Sequence, residues 1–302
     1  PQGADEAKKA GEISYFEDRP LATPATRGLA RELGVDLRKV PPSGAGGRVT
    51  ADDVRASAPA SSPDESRTPL REERTPILGL RRTIAKRMHR SKTTAAHFTF
   101  VEECDASALV AMRARLAPEA ERQGTRVTYL PFVIKAVADA LRHHPMLNSA
   151  VDEQTNELVL KKYYNIGVAT ATDAGLVVPV VHDADRRSLI EVAERLSSLS
   201  EAARDGSLQA SDFRDSTFTI TSLGKHSGLL ATPILNPPEV GILGIHRIKE
   251  RPVVRDGEVV VGQVMLLSLS FDHRIVDGHV GAAFAYDVIE ILEDPERLSE
   301  YV

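Results

Sequence analysis

The stretch Val264-Met265-Leu266-Leu267-Ser268-Leu269-Ser270-Phe271 limits the possible folds more than any other part of this chain. It predicts an apolar, buried strand, so the rest of the chain must supply a core around it. The strand stops abruptly at Asp272-His273-Arg274-Ile275-Val276-Asp277-Gly278. An imidazole at the end of a buried strand can be held rigidly and partly screened from water, which suits a general base near neutral pH. Asp277 follows four residues later, and Gly278 permits a sharp turn. The same residues would also serve a purely structural turn, so the surrounding sequence has to decide between the two.

Charge and cysteine content remove several function classes. With 38 basic and 43 acidic side chains, the net charge is −5, which argues against a general nucleic-acid or membrane-surface binder. No apolar run approaches the ~18 residues of a membrane span. The single cysteine, Cys104, excludes an internal disulfide framework and a cysteine-based metal cluster, and it fits a reducing compartment. The 9 histidines form no ligand pattern such as His-Glu-x-x-His, so no metal is expected. The glycine-rich loop Ser43 to Arg48 lacks the strand-then-helix setting of a phosphate loop.

Composition divides the chain into four parts. Residues 1–19 are polar and read as a linker end. Residues 20–56 form a compact island. There Thr23-Pro24-Ala25-Thr26 reads as a helix start with a hydroxyl cap near Pro24, Leu29, Ala30 and Leu33 make a short helical face, and Gly34 ends it. A second short helix starts at Thr50. Residues 57–74, rich in Pro, Ser, Ala and charge, read as a flexible tether.

Residues 75–302 form one large domain. Its expected helices span Leu80 to Arg90, Ala106 to Leu116, Leu130 to His143, an amphipathic stretch through Leu189, Val192, Ala193, Leu196 and Leu199, and Ala282 to Leu292. Its expected strands are Phe98 to Glu103, Leu158 to Lys162, Ile166 to Thr170, Leu176 to Val181, Phe218 to Thr221, Val240 to Gly244, Val259 to Val261 and Val264 to Phe271. Helices and strands alternate irregularly, which predicts a mixed sheet flanked by helices, of α/β (α+β) class, and argues against a barrel or solenoid.

The string LSLSFDHRIVDG resembles the active-site signature of the dihydrolipoamide acyltransferases, the core components of 2-oxo acid dehydrogenase complexes. Chloramphenicol acetyltransferase shares a shorter form. Further ordered motifs carry the same resemblance: Pro76-Ile77-Leu78-Gly79 with Arg81, Ile84, Ala85 and Met88; His144-Pro145-Met146-Leu147-Asn148; Asn165 to Ala169 with Gly175 to Pro179; Thr217 to Thr221 with Leu223-Gly224; and Pro233 to Glu239 with Ile242-Leu243-Gly244. The island, through ATPATRGLARELGVDL and SGAGGRVTADDV, resembles that family's peripheral subunit-binding domain.

The resemblance implies a chloramphenicol-acetyltransferase-like catalytic domain behind a small helical partner-binding domain. The implied reaction moves an acyl group, acetyl before branched-chain, between dihydrolipoamide and coenzyme A. In it His273 is the base, Thr221 the oxyanion donor and Asp277 the second signature position. Ser222 stands where the family has Asn, which leaves open which hydroxyl faces the substrate. Asp277 would hold a loop, orient His273 or pair with an arginine, Arg81 being the candidate. His97 would line the substrate channel.

Arg27, Arg31 and Arg48 match positions that grip the 2-oxo acid decarboxylase component or dihydrolipoyl dehydrogenase. The family's catalytic domain is a homotrimer with active sites between subunits, so His273 would face Thr221 of a neighbour, and trimers build 24-mers or 60-mers. The lipoyl group is expected from a domain missing from this chain, since no Asp-Lys-Ala hairpin is present. The expected compartment is the bacterial cytoplasm, or else the mitochondrial matrix. A catalytically silent assembly scaffold is the reading from another class; intact His273 and Asp277 argue against it.

Overall fold

A computed structural model of the chain describes residues 15–58, 72–122, 124–224 and 228–301. The expected linkers at 1–19 and 57–74 lie mostly outside these residues. The chain falls into two compact units, Pro1–Thr75 and Pro76–Val302.

The small unit is held by local signals. Strands β1 (Leu21–Ala22) and β2 (Arg48–Val49) pair in parallel. Helix α1 (Pro24–Glu32) starts where Thr23 Oγ1 accepts the Thr26 N–H at 3.2 Å. It stops before Gly34, whose φ of +64° suits a residue without Cβ. Helix α2 (Ala51–Ser57) begins with a reciprocal capping box. The Asp53 N–H donates to Thr50 Oγ1 at 3.3 Å, and the Thr50 N–H donates to Asp53 Oδ2 at 2.8 Å. Ala30, Val40, Val49 and Val54 are the fully buried side chains of this small core.

The large unit is built on a seven-stranded mixed sheet. Its strands are β3 (His97–Asp105), β6 (Ile166–Val168), β9 (Val180–Val181), β10 (Phe218–Ser222), β11 (Gly241–Ile245), β12 (Lys249–Arg255) and β13 (Glu258–Asp272). The last half of β13 runs antiparallel to β3 on one side and to β11 on the other. β11 and β10 are parallel, as are β10 and β6. Two small ladders stand apart from this sheet: β4 (Ser149–Asp152) with β5 (Glu157–Leu160), and β7 (Thr170–Thr172) with β8 (Gly175–Val177). The helices are α3 (Gly79–Thr94), α4 (Ser107–Arg122), α5 (Leu130–His143), α6 (Leu189–Asp205) and α7 (Gly278–Glu293). The mixed sheet with flanking helices is the architecture expected from the sequence.

The differences have local causes. The two strands expected at 259–261 and 264–271 are one 15-residue strand. Gly262 does not break it; a Cβ there would sit 2.6 Å from Val253 Cγ2, so the glycine makes room for the partner strand. The strand expected over 176–181 divides into β8 and β9 around Pro179, which has no N–H for a ladder. β12 carries no strand signal in the sequence because its charged residues and Pro252 hide any alternation. Helix α3 runs on to Thr94, and its face of Leu80, Ile84 and Met88 is only partly buried.

Two buried charges tie distant segments together. Lys135 on α5 is 1% exposed, and its Nζ donates to the carbonyls of Ala184, Asp185 and Arg187 at 2.9, 3.2 and 2.7 Å. Burial pushes this amine down to about 8. Glu239 is 5% exposed and accepts hydrogen bonds from Thr219 Oγ1 at 2.6 Å and Asn236 Nδ2 at 3.0 Å. Burial pushes its carboxyl up to about 7.

Candidate active site

The end of β13 is fixed by Asp272. This carboxylate is buried and accepts from the backbone N–H of Ala96 at 3.2 Å, from the N–H of Arg274 at 3.1 Å, and from the Arg274 guanidinium at 2.6 Å. Burial alone would raise the carboxyl, but the Arg274 and Ala96 hydrogen bonds outweigh it and hold it below the ordinary carboxylate range. The His273 N–H donates to Ala96 O at 2.8 Å, which pins the backbone of the next residue to the start of β3. The imidazole of His273 lies against Phe98, with ring centroids 5.1 Å apart. Gly278 leaves space beside it: a Cβ there would be 3.9 Å from His273 Nε2.

His273 itself is exposed within its own chain. The strand is buried to Asp272 and the chain then turns outward. Asp277 caps the start of α7 through its backbone, its carbonyl accepting from Val280 and Gly281 at 3.0 and 3.1 Å. Its exposed carboxylate has no hydrogen-bond or ion-pair partner among the described residues. Arg81 is exposed on α3 and likewise unpaired there, so the expected Arg81–Asp277 pair does not form within the chain.

His97 is held by backbone at both ring nitrogens. Its Nδ1 lies 3.1 Å from Ala95 O, and its Nε2 accepts the Leu235 N–H at 3.1 Å. Both nitrogens are therefore committed to backbone, and burial lowers its pKa. The ring ties the loop at Leu235 to the first residue of β3. Cys104 is buried, and burial pushes its thiol up to about 12, which rules it out as a nucleophile.

Thr221 and Ser222 lie on β10, two strands from β13. Thr221 pairs with Gly244 on β11, and Gly244 pairs with Ser268 on β13. His273 is five residues beyond Ser268, so two strand spacings and five residue steps separate it from Thr221, roughly 20 Å. One chain does not bring the two together. Ser222 Oγ accepts the Gly224 N–H at 3.2 Å, whereas the Thr221 hydroxyl has no hydrogen-bond partner among the described residues.

Ser222 borders two cavities of about 600 and about 400 Å³ that also share Arg126, Thr128 and Leu130. The larger is also lined by Arg113 and Arg247. None of these three arginines has an ion-pair partner among the described residues, and sequence reasoning did not single them out because they come from three separate segments.

In the small unit, Arg27 and Arg31 stand one turn apart on α1, and Arg48 is on β2. All three are exposed, and none is ion-paired among the described residues, although Arg27 Nη2 donates to Pro20 O at 2.8 Å.

Residues 69–300 match the 2-oxoacid dehydrogenases acyltransferase (catalytic domain) family. The chain belongs to this family. Residues 20–55 of this acyltransferase match the E3 binding domain. It is 41% identical over 300 residues to the dihydrolipoyllysine-residue acetyltransferase component of the pyruvate dehydrogenase complex of Bacillus subtilis, covering 93% of this chain and 68% of that one. The Staphylococcus aureus protein of the same name is 41% identical over 301 residues, covering 92% and 70%.

Among solved structures, one addressing catalysis by Azotobacter vinelandii dihydrolipoamide acetyltransferase superposes with a TM-score of 0.73 at 35% identity, covering 80% of this chain and 99% of that one. The truncated catalytic core of the 2-oxoacid dehydrogenase multienzyme complex from Thermoplasma acidophilum gives 0.69 at 41% identity, covering 74% and 99%. Among the described residues of this acyltransferase, no cluster could hold a metal ion and no helix is long and apolar enough to cross a membrane.

Proposed function

We propose that this acyltransferase moves an acetyl group between dihydrolipoamide and coenzyme A, with His273 as general base and the Thr221 hydroxyl as oxyanion donor. The observation that carries the assignment is a spacing. The Azotobacter vinelandii structure concerns the catalytic roles of a serine, a histidine 52 residues later and an asparagine four residues after that. Thr221, His273 and Asp277 stand at the same intervals, with hydroxyl and imidazole retained and a carboxylate in place of the amide.

The chemistry follows from the groups. A free thiol has a pKa near ~8.5 and needs a base to become a nucleophile at neutral pH. The His273 imidazole takes the coenzyme A thiol proton, and the thiolate adds to the carbonyl carbon of the acetyl thioester. Thr221 donates a hydrogen bond to the resulting oxyanion. Collapse breaks the bond to the dihydrolipoyl sulfur, which leaves with the proton held by the imidazolium. No covalent acyl-enzyme is needed. The 52-residue interval to His273 fits Thr221 and not Ser222, which favours Thr221 as the donor.

The roughly 20 Å between Thr221 and His273 in one chain supports a site assembled between neighbouring protomers, as in a homotrimer. The cubic core of the pyruvate dehydrogenase complex, a solved structure with a TM-score of 0.73, supports assembly beyond that. The cavities beside Ser222, with Arg113, Arg126 and Arg247, suit the phosphates of coenzyme A. The lipoyl arm would arrive on a separate domain. Exposed Arg27, Arg31 and Arg48 suit acidic surfaces of dihydrolipoyl dehydrogenase or the decarboxylase. In this reading 20–56 is the partner-binding domain, 75–302 the catalytic domain and 57–74 the tether, in a cytoplasmic bacterial protein.

The test is acyl transfer from acetyl-CoA and isobutyryl-CoA to free dihydrolipoamide by the assembled oligomer. Acetyl-CoA should be preferred, and His273→Ala should cost about 10²- to 10⁴-fold in kcat. Preference for isobutyryl-CoA would make it a branched-chain enzyme, and an inactive wild-type oligomer would make it a scaffold.

A further inference from the structure

The backbone of His273 is tied down, yet its side chain is not held by hydrogen bonds. Among the described residues neither ring nitrogen has a hydrogen-bond partner, and the residue is exposed. The contacts that can fix the imidazole are aromatic. Phe98 on β3 lies directly opposite Phe271 on β13, and their rings are 5.2 Å apart at 31°. The edge of this pair meets the imidazole: Phe98 to His273 is 5.1 Å at 62°, and Phe271 to His273 is 6.0 Å at 35°.

Phe271 is in turn pressed from behind by α7. Gly281 lies against it so closely that a Cβ would stand 2.3 Å from Phe271 Cε1. Phe271 is fully buried and cannot give way, whereas Phe98 is 41% exposed beside the imidazole. The order of contact is α7, Phe271, Phe98, His273, running from the core to the surface.

We propose that Phe98 is a positioning residue that holds the His273 imidazole in its working rotamer, its ring being braced by Phe271 and, through Gly281, by α7. This rests on the reading of His273 as the general base. An exposed histidine samples several staggered side-chain wells, and only one presents the nitrogen at a fixed place beside Gly278. An edge-to-face ring contact restricts that choice without removing the nitrogen's free lone pair. Misplacement of a reacting group costs rate, not ground-state binding. Phe98→Ala should therefore lower kcat on the order of tenfold, with KM for both substrates unchanged.

The experiment compares kcat and KM of Phe98→Ala, Phe98→Leu and Phe98→Tyr in the assembled oligomer, each also combined with His273→Ala. The proposal expects Tyr to restore kcat to within about twofold, Leu to stay low despite its apolar bulk, and no Phe98 variant to lower further the residual rate of His273→Ala. Leu performing as well as Tyr would reduce Phe98 to a space-filler and overturn the proposal, even if Phe98→Ala failed to assemble. A further loss in the His273→Ala background would also overturn it, since Phe98 would then act elsewhere. Full activity of His273→Ala alone would instead remove the base, a failure distinct from the other two.

Discussion

Glu239→Gln tests whether a buried carboxyl makes this fold sensitive to pH. Glu239 is buried, and its acceptors are met by Thr219 and Asn236. Burial, partly offset by those hydrogen bonds, raises its pKa from 4.5 to about 7. The folded state therefore binds more protons than the unfolded state between these two values, and stability falls as pH rises through that window. Above the folded value the whole cost of ionising a buried carboxyl is present, which is about 3 kcal/mol for a rise of this size. Glutamine has the same shape and no charge. Its carbonyl can accept from Asn236 while its amide donates to Thr219 Oγ1. Urea midpoints of wild type and variant, measured at equal protein concentration from pH 4 to 8.5, should converge below the unfolded value of 4.5. At pH 8 the variant should be more stable by about 3 kcal/mol. A difference that does not change with pH, or a variant that loses stability relative to wild type as pH rises, would refute the reasoning.

Three further perturbations follow from the same packing. Lys135→Met leaves the carbonyls of Ala184, Asp185 and Arg187 without their shared donor and should cost on the order of 3 kcal/mol in urea unfolding, since buried unsatisfied groups carry the full desolvation penalty. In Asp272→Asn the depressed carboxyl is gone. The wild type, whose Asp272 stabilises the fold above the ordinary carboxylate pKa and loses that contribution as pH falls through the lowered value, should therefore show the steeper acid loss, read as melting temperature between pH 5 and 3. Thr23→Ala removes the α1 cap and should cost about 1 kcal/mol, seen as faster amide exchange in α1 with catalytic-domain amides unchanged.

The strand that carries the candidate base is legible in the sequence because its signals are local. The apolar run into Phe271 announced a central strand, and the polar break at Asp272 placed His273 at its end. Helix α5 was predicted with both ends at Leu130 and His143, since proline begins it and apolar periodicity runs its full length. The caps at Thr23 and Thr50 fall where hydroxyls precede helical runs. Exposure of His273, and the backbone bonds that commit His97, could not be read, because they depend on where the chain turns after a strand and on which loop returns to it.

The sequence by itself determined the family, the candidate base, the strand that carries it and the partner-binding island, all properties of contiguous residues. The tertiary structure decided which distant residues meet. It set Phe98 against His273 through the register of β3 with β13. It joined Lys135 to the 184–187 loop and Glu239 to Thr219, and it put Thr221 two strands away from the histidine it would serve. β3 and β13 are more than 150 residues apart in the chain, so the residue types within either segment do not name its partner.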